Sequence, residues 1–176
     1  EPSNLISGRG FNADGLAVVG VAVGNTTLYG AIDKTGKLII QPKYNDVKRL
    51  SNGLYRVTLN LKHGIVNKNG EELIPLKYKD IYDHSKLLCF GKTTDNMLVV
   101  INQYGREVTE PFSDTHQTSD GFLGLKKYDK YGGINDSGKL IIPIKFTSLY
   151  NWDSKGLISI RDTGKNALVD NTGKFI

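Results

Sequence analysis

The sequence has 176 residues with a formal net charge of +5, and it holds 20 glycines, nine tyrosines and a single cysteine. One cysteine excludes an intramolecular disulfide framework, and the sequence contains no apolar run of about 18 residues, so no transmembrane helix is predicted. Lysines and arginines are spread along the chain and form neither a basic tail nor a basic helix. The length suits one domain with its own core, and the glycine- and tyrosine-rich composition predicts an all-β fold.

The first clear element is a β-hairpin over residues 28–40. Two short runs rich in isoleucine and leucine flank the turn Asp33-Lys34-Thr35-Gly36. Aspartate at the first turn position can accept a hydrogen bond from the backbone two residues further on. Glycine at the fourth position can take the left-handed conformation that closes a type I turn with a bulge. A helix is not favoured, because the glycines and the turn interrupt any 3.6-residue period.

This hairpin recurs four more times along the chain. The turn glycines follow one another at spacings of 33 to 35 residues, and each has Asp or Asn three positions earlier. A two-residue dyad precedes each turn, and a proline followed by an aromatic residue comes after the first four turns. The turn glycines are Gly36, Gly70, Gly105, Gly138 and Gly173. We therefore predict an all-β domain of five tandem β-hairpin repeats of about 35 residues, each with up to four short strands.

The pattern resembles the WG-repeat family of bacterial tandem-repeat proteins. In that family a Trp-Gly dyad precedes an Ile-Asp-x-x-Gly turn and an Ile-Pro-x-x-Tyr segment. The matching residues here begin at Tyr29-Gly30 and run to Tyr44, and further copies begin at His63-Gly64 and Tyr131-Gly132. No dyad in this sequence has tryptophan, and the third and fifth dyads also lack glycine. The resemblance implies a diverged repeat module of a secreted or cell-envelope protein, and it implies no reaction.

The repeat phase predicts the unit boundaries. We expect a partial unit over residues 1–11, repeats at about 12–50, 51–83, 84–117 and 118–150, and a partial unit over 151–176 that residues 1–11 complete. A repeat needs neighbours to bury its apolar faces. The two partial units together make up one whole unit, and this favours a closed, propeller-like ring. An open β-solenoid is the alternative, because propeller repeats usually run to about 40–45 residues. Head-to-tail joining of chains is a third arrangement.

Motifs that carry chemistry are few. His63, His84 and His116 lie in three different repeats and not at metal-ligand spacing. Each of the five hairpin turns offers one Asp or Asn side chain at its first position, whereas a calcium-binding loop needs several oxygen-bearing side chains. The sequence has no Gly-x-Ser-x-Gly elbow, and Cys89 has no nearby histidine with a base-orienting partner. We therefore predict no metal, no cofactor and no enzyme activity.

Candidate binding residues come from equivalent positions of the aligned repeats, here called columns, because the residues of one column form one stripe on the surface of a repeat array. Aromatic dyad residues could stack on sugar rings or form the core between repeats: Tyr29, His63 and Tyr131, with Trp152 apart. A basic column follows the turn glycine and is broken by Glu71: Lys37, Arg106, Lys139 and Lys174. A second basic column precedes the post-proline aromatic residue: Lys43, Lys77 and Lys145. Such columns could bind a polyanion or protect exposed strand edges.

We therefore expect a non-enzymatic binding or structural module of a bacterial surface or secreted protein that recognises a protein or a glycan. One alternative is a self-assembling subunit of a fibre or coat, joined head to tail through its chain ends. The other is a polyanion-binding module that uses the lysine columns, although nucleic acid is not the expected partner.

Overall fold

The computed structural model describes residues 5–8, 10–119, 121–151, 157–170 and 172–176, without the side chains of residues 5–7, 117–119 and 151. Within these ranges the chain forms strands, turns and loops and no helix, which confirms the all-β prediction. The described strands form five small antiparallel sheets, and within each sheet they follow one another in chain order.

The sheets are numbered along the chain. Sheet 1 consists of β1 (Leu5–Gly8), β2 (Leu16–Val23), β3 (Thr26–Asp33) and β4 (Leu38–Tyr44). Sheet 2 consists of β5 (Asp46–Arg49), β6 (Tyr55–Leu59), β7 (Lys62–Val66) and β8 (Glu72–Tyr78). Sheet 3 consists of β9 (Asp80–Asp83), β10 (Leu88–Lys92) and β11 (Leu98–Asn102). Sheet 4 consists of β12 (Asp114–Ser119), β13 (Phe122–Lys127), β14 (Lys130–Asn135) and β15 (Leu140–Phe146). Sheet 5 consists of β16 (Ser148–Asn151), β17 (Ile158–Asp162) and β18 (Lys165–Val169).

The hairpin turns have the predicted chemistry in all five repeats. In the first, Asp33 Oδ1 accepts hydrogen bonds from the backbone N–H of Thr35 at 2.8 Å and of Lys37 at 3.0 Å. The same two bonds recur at Asn67, Asn102, Asn135 and Asp170. The five turn glycines all have φ between 73° and 85°, a left-handed conformation that glycine adopts at little cost. The Oδ1 atom at the first position of each turn therefore already accepts two hydrogen bonds from backbone N–H groups.

The dyad glycine lets two neighbouring strands approach closely. A Cβ atom placed on Gly64 would lie 2.7 Å from the carbonyl oxygen of Ile74 on the adjacent strand. Gly30 and Gly132 make the same close approach to Ile40 and Ile142. The strand pairing shifts register at these sites, so the backbone bulges just before the proline of the fourth strand.

The third repeat departs from this pattern and has Leu98 in the dyad column. Here a continuous fourth strand is replaced by two isolated bridges, Leu98 with Phe112 and Ile101 with Glu107. The backbone groups of Leu98 and Phe112 exchange hydrogen bonds of 2.8 and 2.9 Å. Leu98 therefore pairs with Phe112 as Tyr29 pairs with Tyr44, and Val99 takes the position that the dyad glycine has in the other repeats.

The core is divided among four hydrophobic clusters, and each cluster lies between two consecutive sheets. The post-proline aromatic residues are buried in these junctions: Tyr44, Tyr78, Phe112 and Phe146. The turn glycines add a second contact, because a Cβ at any of the last four would come within 3 Å of the preceding repeat. The partners there are Ile39, Leu73, Val108 and Ile141. Each repeat is therefore held by its neighbours, as expected for a stacked array.

The arrangement of the two ends stays a prediction. Residues 5–8 pair with β2 and form the outer strand of sheet 1. Residues 1–4, which belong to the segment expected to complete the last unit, lie outside the described residues. Within the described residues the four core clusters join only consecutive sheets. Neither the closed ring nor the open solenoid is settled by these contacts.

Candidate functional site

The aromatic dyad column lies at the junctions between sheets. Tyr29 packs against the cluster between sheets 1 and 2, and Tyr131 packs against the cluster between sheets 4 and 5. The Tyr131 ring lies 4.8 Å from the ring of His116, whose Nε2 lies 2.8 Å from the carbonyl oxygen of Leu149 in sheet 5. These side chains are only partly accessible, so stacking on a ligand stays a prediction for them. Trp152 lies outside the described residues.

His63 belongs to a polar cluster between sheets 2 and 3. Its Nδ1 lies 2.9 Å from Thr58 Oγ1, and its Nε2 lies 4.0 Å from Asp80 Oδ1. Arg56 in the same cluster lies 3.2 Å from Asp46 and donates to the carbonyl oxygen of Ile81 at 3.3 Å. Burial lowers the pKa of His63, and the nearby carboxylate of Asp80 opposes this shift. The cluster joins two sheets by charge and hydrogen bonds rather than by apolar contact.

Two further polar contacts link residues that are far apart in the sequence. Asp14, in the turn just before β2, accepts hydrogen bonds from Arg49 Nε at 2.6 Å and from the Tyr55 hydroxyl at 2.8 Å. The hydrogen bonds from Arg49 hold the pKa of Asp14 below its usual value, and burial raises the pKa of Tyr55 to about 12. Sequence reasoning missed this contact, because no repeat column pairs these residue types.

The second of these contacts joins sheet 2 to the irregular third repeat. The Tyr78 hydroxyl and the Lys77 ammonium both lie 2.6 Å from Glu107 Oε1. Burial raises the pKa of Tyr78, and the hydrogen bond to Glu107 raises it further. Burial also opposes ionisation of Glu107, but hydrogen bonds from Lys77 and Tyr78 outweigh it and hold the pKa of Glu107 below its usual value.

The two basic columns differ in their surroundings. The residues after the turn glycines are exposed at the hairpin tips and form no salt bridge within the described part of the chain: Lys37, Arg106, Lys139 and Lys174. The second column instead folds back over the core. The Nζ atoms of Lys43, Lys77 and Lys145 lie 5.2 to 5.5 Å from the ring centroids of the aromatic residues that follow them. Of these two columns, the tip column is thus the one whose cations make no ring or salt-bridge contact among the described residues.

Two of the open clefts on the surface are lined by described residues that bear on binding. One, of about 520 Å³, lies on sheet 5 and is lined by hydroxyl groups together with Tyr150, Arg161 and Asn166. The other, of about 600 Å³, lies between sheets 3 and 4, where the third repeat lacks a continuous fourth strand. Glu107, Lys127 and apolar side chains line this second cleft.

Other kinds of site are not apparent in the described ranges. No group of three or more His, Cys, Asp or Glu side chains there could hold a metal ion. The cysteine thiol is buried, and burial raises the pKa of Cys89 to about 12. Among the same residues, no helix is long and apolar enough to cross a membrane.

Sequence comparison identifies the family. Residues 29–62, 64–85 and 131–165 match the model of the WG containing repeat, and together they make up just over half of the chain. The chain therefore belongs to the WG-repeat family, which confirms the resemblance seen in its dyads and turns. Membership of this family indicates a repeat module with a binding or structural role. A search of curated proteins found no match to the chain.

Solved structures give distant likenesses. BamB from Moraxella catarrhalis matches 93% of this chain with 13% identity and a TM-score of 0.36. The WD40 β-propeller domain of Doa1 matches 85% with 11% identity and a TM-score of 0.33. A protein of unknown function from Bacteroides caccae matches 81% with 16% identity and a TM-score of 0.29. The chain spans only 60% of BamB and 58% of the Doa1 domain.

Proposed function

We propose that the chain is a non-catalytic module of a bacterial surface or secreted protein, and that it recognises a protein or a glycan. The observation that carries this proposal is that shared and variable positions of the repeat have different roles. The shared turn glycines and post-proline aromatic residues serve the turns and the junctions between sheets. The positions that differ between repeats, at the hairpin tips and on the open sheet face, remain accessible. Repeat proteins commonly bind their partners through such surfaces.

Exposure of the hairpin-tip column favours one second candidate, which is polyanion binding. Each of the last four hairpin tips packs on the preceding repeat, so the tip residues follow one another in a row. Lys37, Arg106, Lys139 and Lys174 lie in this row, and Glu71 interrupts it. Electrostatic binding to a polyanion would weaken steeply with added salt. An affinity that is equal at low and high salt would contradict this candidate.

An open position at the first hairpin tip favours the other candidate, which is self-assembly. A Cβ at Gly36 would meet no atom within 4 Å, whereas the other four turn glycines touch the preceding repeat. The last repeat of a second copy could contact this open position, as each repeat contacts the hairpin tip of the next. Sedimentation velocity over a range of concentrations tests the idea, because growing head-to-tail polymers would appear as concentration rises. A single monomeric species at all concentrations would contradict it.

The main proposal is tested by binding the intact chain to an array of bacterial surface glycans and to bacterial surface proteins. Recognition predicts saturable binding to a small set of ligands. That binding should weaken when exposed positions are changed in groups. A matched control carries Asp33→Asn, which keeps the turn hydrogen bonds that Asn67, Asn102 and Asn135 make in the other repeats. The proposal is wrong if the folded chain binds no member of either set above the level of heat-unfolded chain.

A further inference from the structure

The cleft on sheet 5 lies on the face of the sheet that points away from sheet 4. Leu149, Ile158 and Ile160 pack into the cluster between sheets 4 and 5. Residues next to them in a strand point to the opposite face, because side chains alternate along β-strands. The strand register places Ser148 opposite Arg161 and Tyr150 opposite Ser159. These four side chains therefore share the outer face, and all four line the cleft.

The corresponding face of sheet 2 is covered by the next sheet. There Asp46 lies opposite Thr58 and Thr58 lies opposite His63, the same register as Ser148, Arg161 and Asn166 in sheet 5. In sheet 2 this face meets sheet 3, where Arg56 binds the carbonyl oxygen of Ile81. In sheet 5 every described residue that lines the cleft comes from sheet 5 itself or the residue just before it. Positions that form a junction in sheet 2 thus form an open surface here.

The lining of this cleft has a definite chemistry. Arg161 supplies a guanidinium group, and it forms no salt bridge or side-chain hydrogen bond within the described part of the chain. No carboxylate is among the described residues that line the cleft. Ser148, Ser159 and Thr163 add hydroxyl groups, and the ring of Tyr150 is 56% exposed. Because no described carboxylate pairs with Arg161 or lines the cleft, the lining favours an anionic group on the ligand.

We propose that this cleft binds a carboxylated sugar unit of an acidic glycan, which rests on the proposed recognition function and names its ligand class. Arg161 pairs with the carboxylate, since its planar guanidinium can bind both oxygens at once. The exposed ring of Tyr150 lies against the apolar face of the sugar. The hydroxyl groups and the Asn166 amide bind sugar hydroxyls. The volume of about 520 Å³ lies within the range of small-ligand sites.

The experiment is calorimetric titration of the full chain with trigalacturonic acid and with its methyl ester, which keeps the sugar but removes the charge. The variants are Arg161→Gln and Tyr150→Ala. The matched control is Lys48→Gln, which removes one exposed cation from β5, outside the cleft and outside both basic columns. Thermal unfolding of each variant checks the fold, and the midpoints should stay close to that of the unchanged chain, because all three positions are exposed.

We expect Arg161→Gln to weaken binding of the acid by about tenfold or more, as loss of a charge-assisted hydrogen bond does. Tyr150→Ala should weaken binding of the acid and of the ester alike, and Lys48→Gln should leave both affinities within about twofold. The unchanged chain should prefer the acid, and Arg161→Gln should abolish this preference. An equal loss in Lys48→Gln, or no preference of the unchanged chain for the acid, would overturn the cleft assignment. If the array shows specific binding to another ligand while trigalacturonic acid does not bind, the cleft proposal fails and the recognition function stands.

Discussion

Replacing Gly64 by alanine tests how the dyad glycine shapes the repeat. The added Cβ would lie 2.7 Å from the carbonyl oxygen of Ile74 and 3.0 Å from the carbonyl carbon of Pro75. Both are backbone atoms, so the clash cannot be relieved by rotating a side chain. The pairing of β7 with β8 must open, and β8 carries Ile74 and Tyr78 into the core between sheets 2 and 3.

The size of the effect follows from two opposing terms. Overpacking in a closely packed region costs roughly 1–3 kcal/mol. Replacing glycine by alanine also reduces the freedom of the unfolded chain, which recovers about 0.4–1 kcal/mol. We therefore expect the free energy of unfolding to fall by about 1–2 kcal/mol. The melting temperature should fall by roughly 2–4 °C for each kcal/mol in a domain of this size.

Urea unfolding followed by circular dichroism measures this change. The matched control is Gly10→Ala, since a Cβ at Gly10 meets no atom within 4 Å. The control should stay within about 0.5 kcal/mol of the unchanged chain, as most surface substitutions do. Equal unfolding midpoints for Gly64→Ala and Gly10→Ala would refute the close-approach explanation of the dyad.

Three further predictions concern buried polar groups. Tyr78→Phe removes the 2.6 Å hydrogen bond to Glu107, while Lys77 still pairs with that carboxylate. Urea unfolding should show that the free energy of unfolding falls by about 1–3 kcal/mol, and an unchanged value would contradict the contact. Burial lowers the pKa of His63 in the folded chain below its usual value of 6.5. The stabilisation of the fold by the neutral ring is therefore fully present above pH 6.5, and it is lost as the pH falls through the lower pKa of the folded state. Between pH 7 and 5 the unchanged chain should therefore lose more stability than His63→Asn, and parallel curves would count against this. Cys89 is fully buried and burial raises its pKa to about 12, so a thiol reagent should react only as the chain unfolds; fast labelling of the native chain would show otherwise.

The turns could be predicted from the sequence because their chemistry is local. Asp33 and Gly36 lie within one turn, and the hydrogen bonds and left-handed glycine follow from that tetrapeptide alone. A glycine within a strand, such as Gly30, also predicts a bulge or the close approach of another backbone, and the structure confirms it, but the backbone that approaches could not be predicted. Gly64 is explained by the backbone of Ile74, which only strand pairing brings close.

The polar contacts between sheets could not be predicted, because they join residues that no column relates. Tyr78 and Glu107 are an example, since Glu107 lies in the third repeat, where isolated bridges replace a continuous fourth strand. The cleft on sheet 5 was missed for a different reason. Arg161 and Tyr150 occupy repeat positions that lie at junctions between sheets elsewhere in the chain. The sequence does not show which face of a sheet stays uncovered, because this depends on how the repeats pack.

The central claim is that recognition uses exposed, variable positions while the shared columns hold the repeats together. Nuclear magnetic resonance titration of the isotope-labelled chain with a ligand found on the array tests this most directly. The account predicts that the largest chemical-shift changes fall on the sheet 5 cleft, around Tyr150 and Arg161, or on the hairpin tips. Largest changes at Tyr29, His63 and Tyr131, between the sheets, would contradict it.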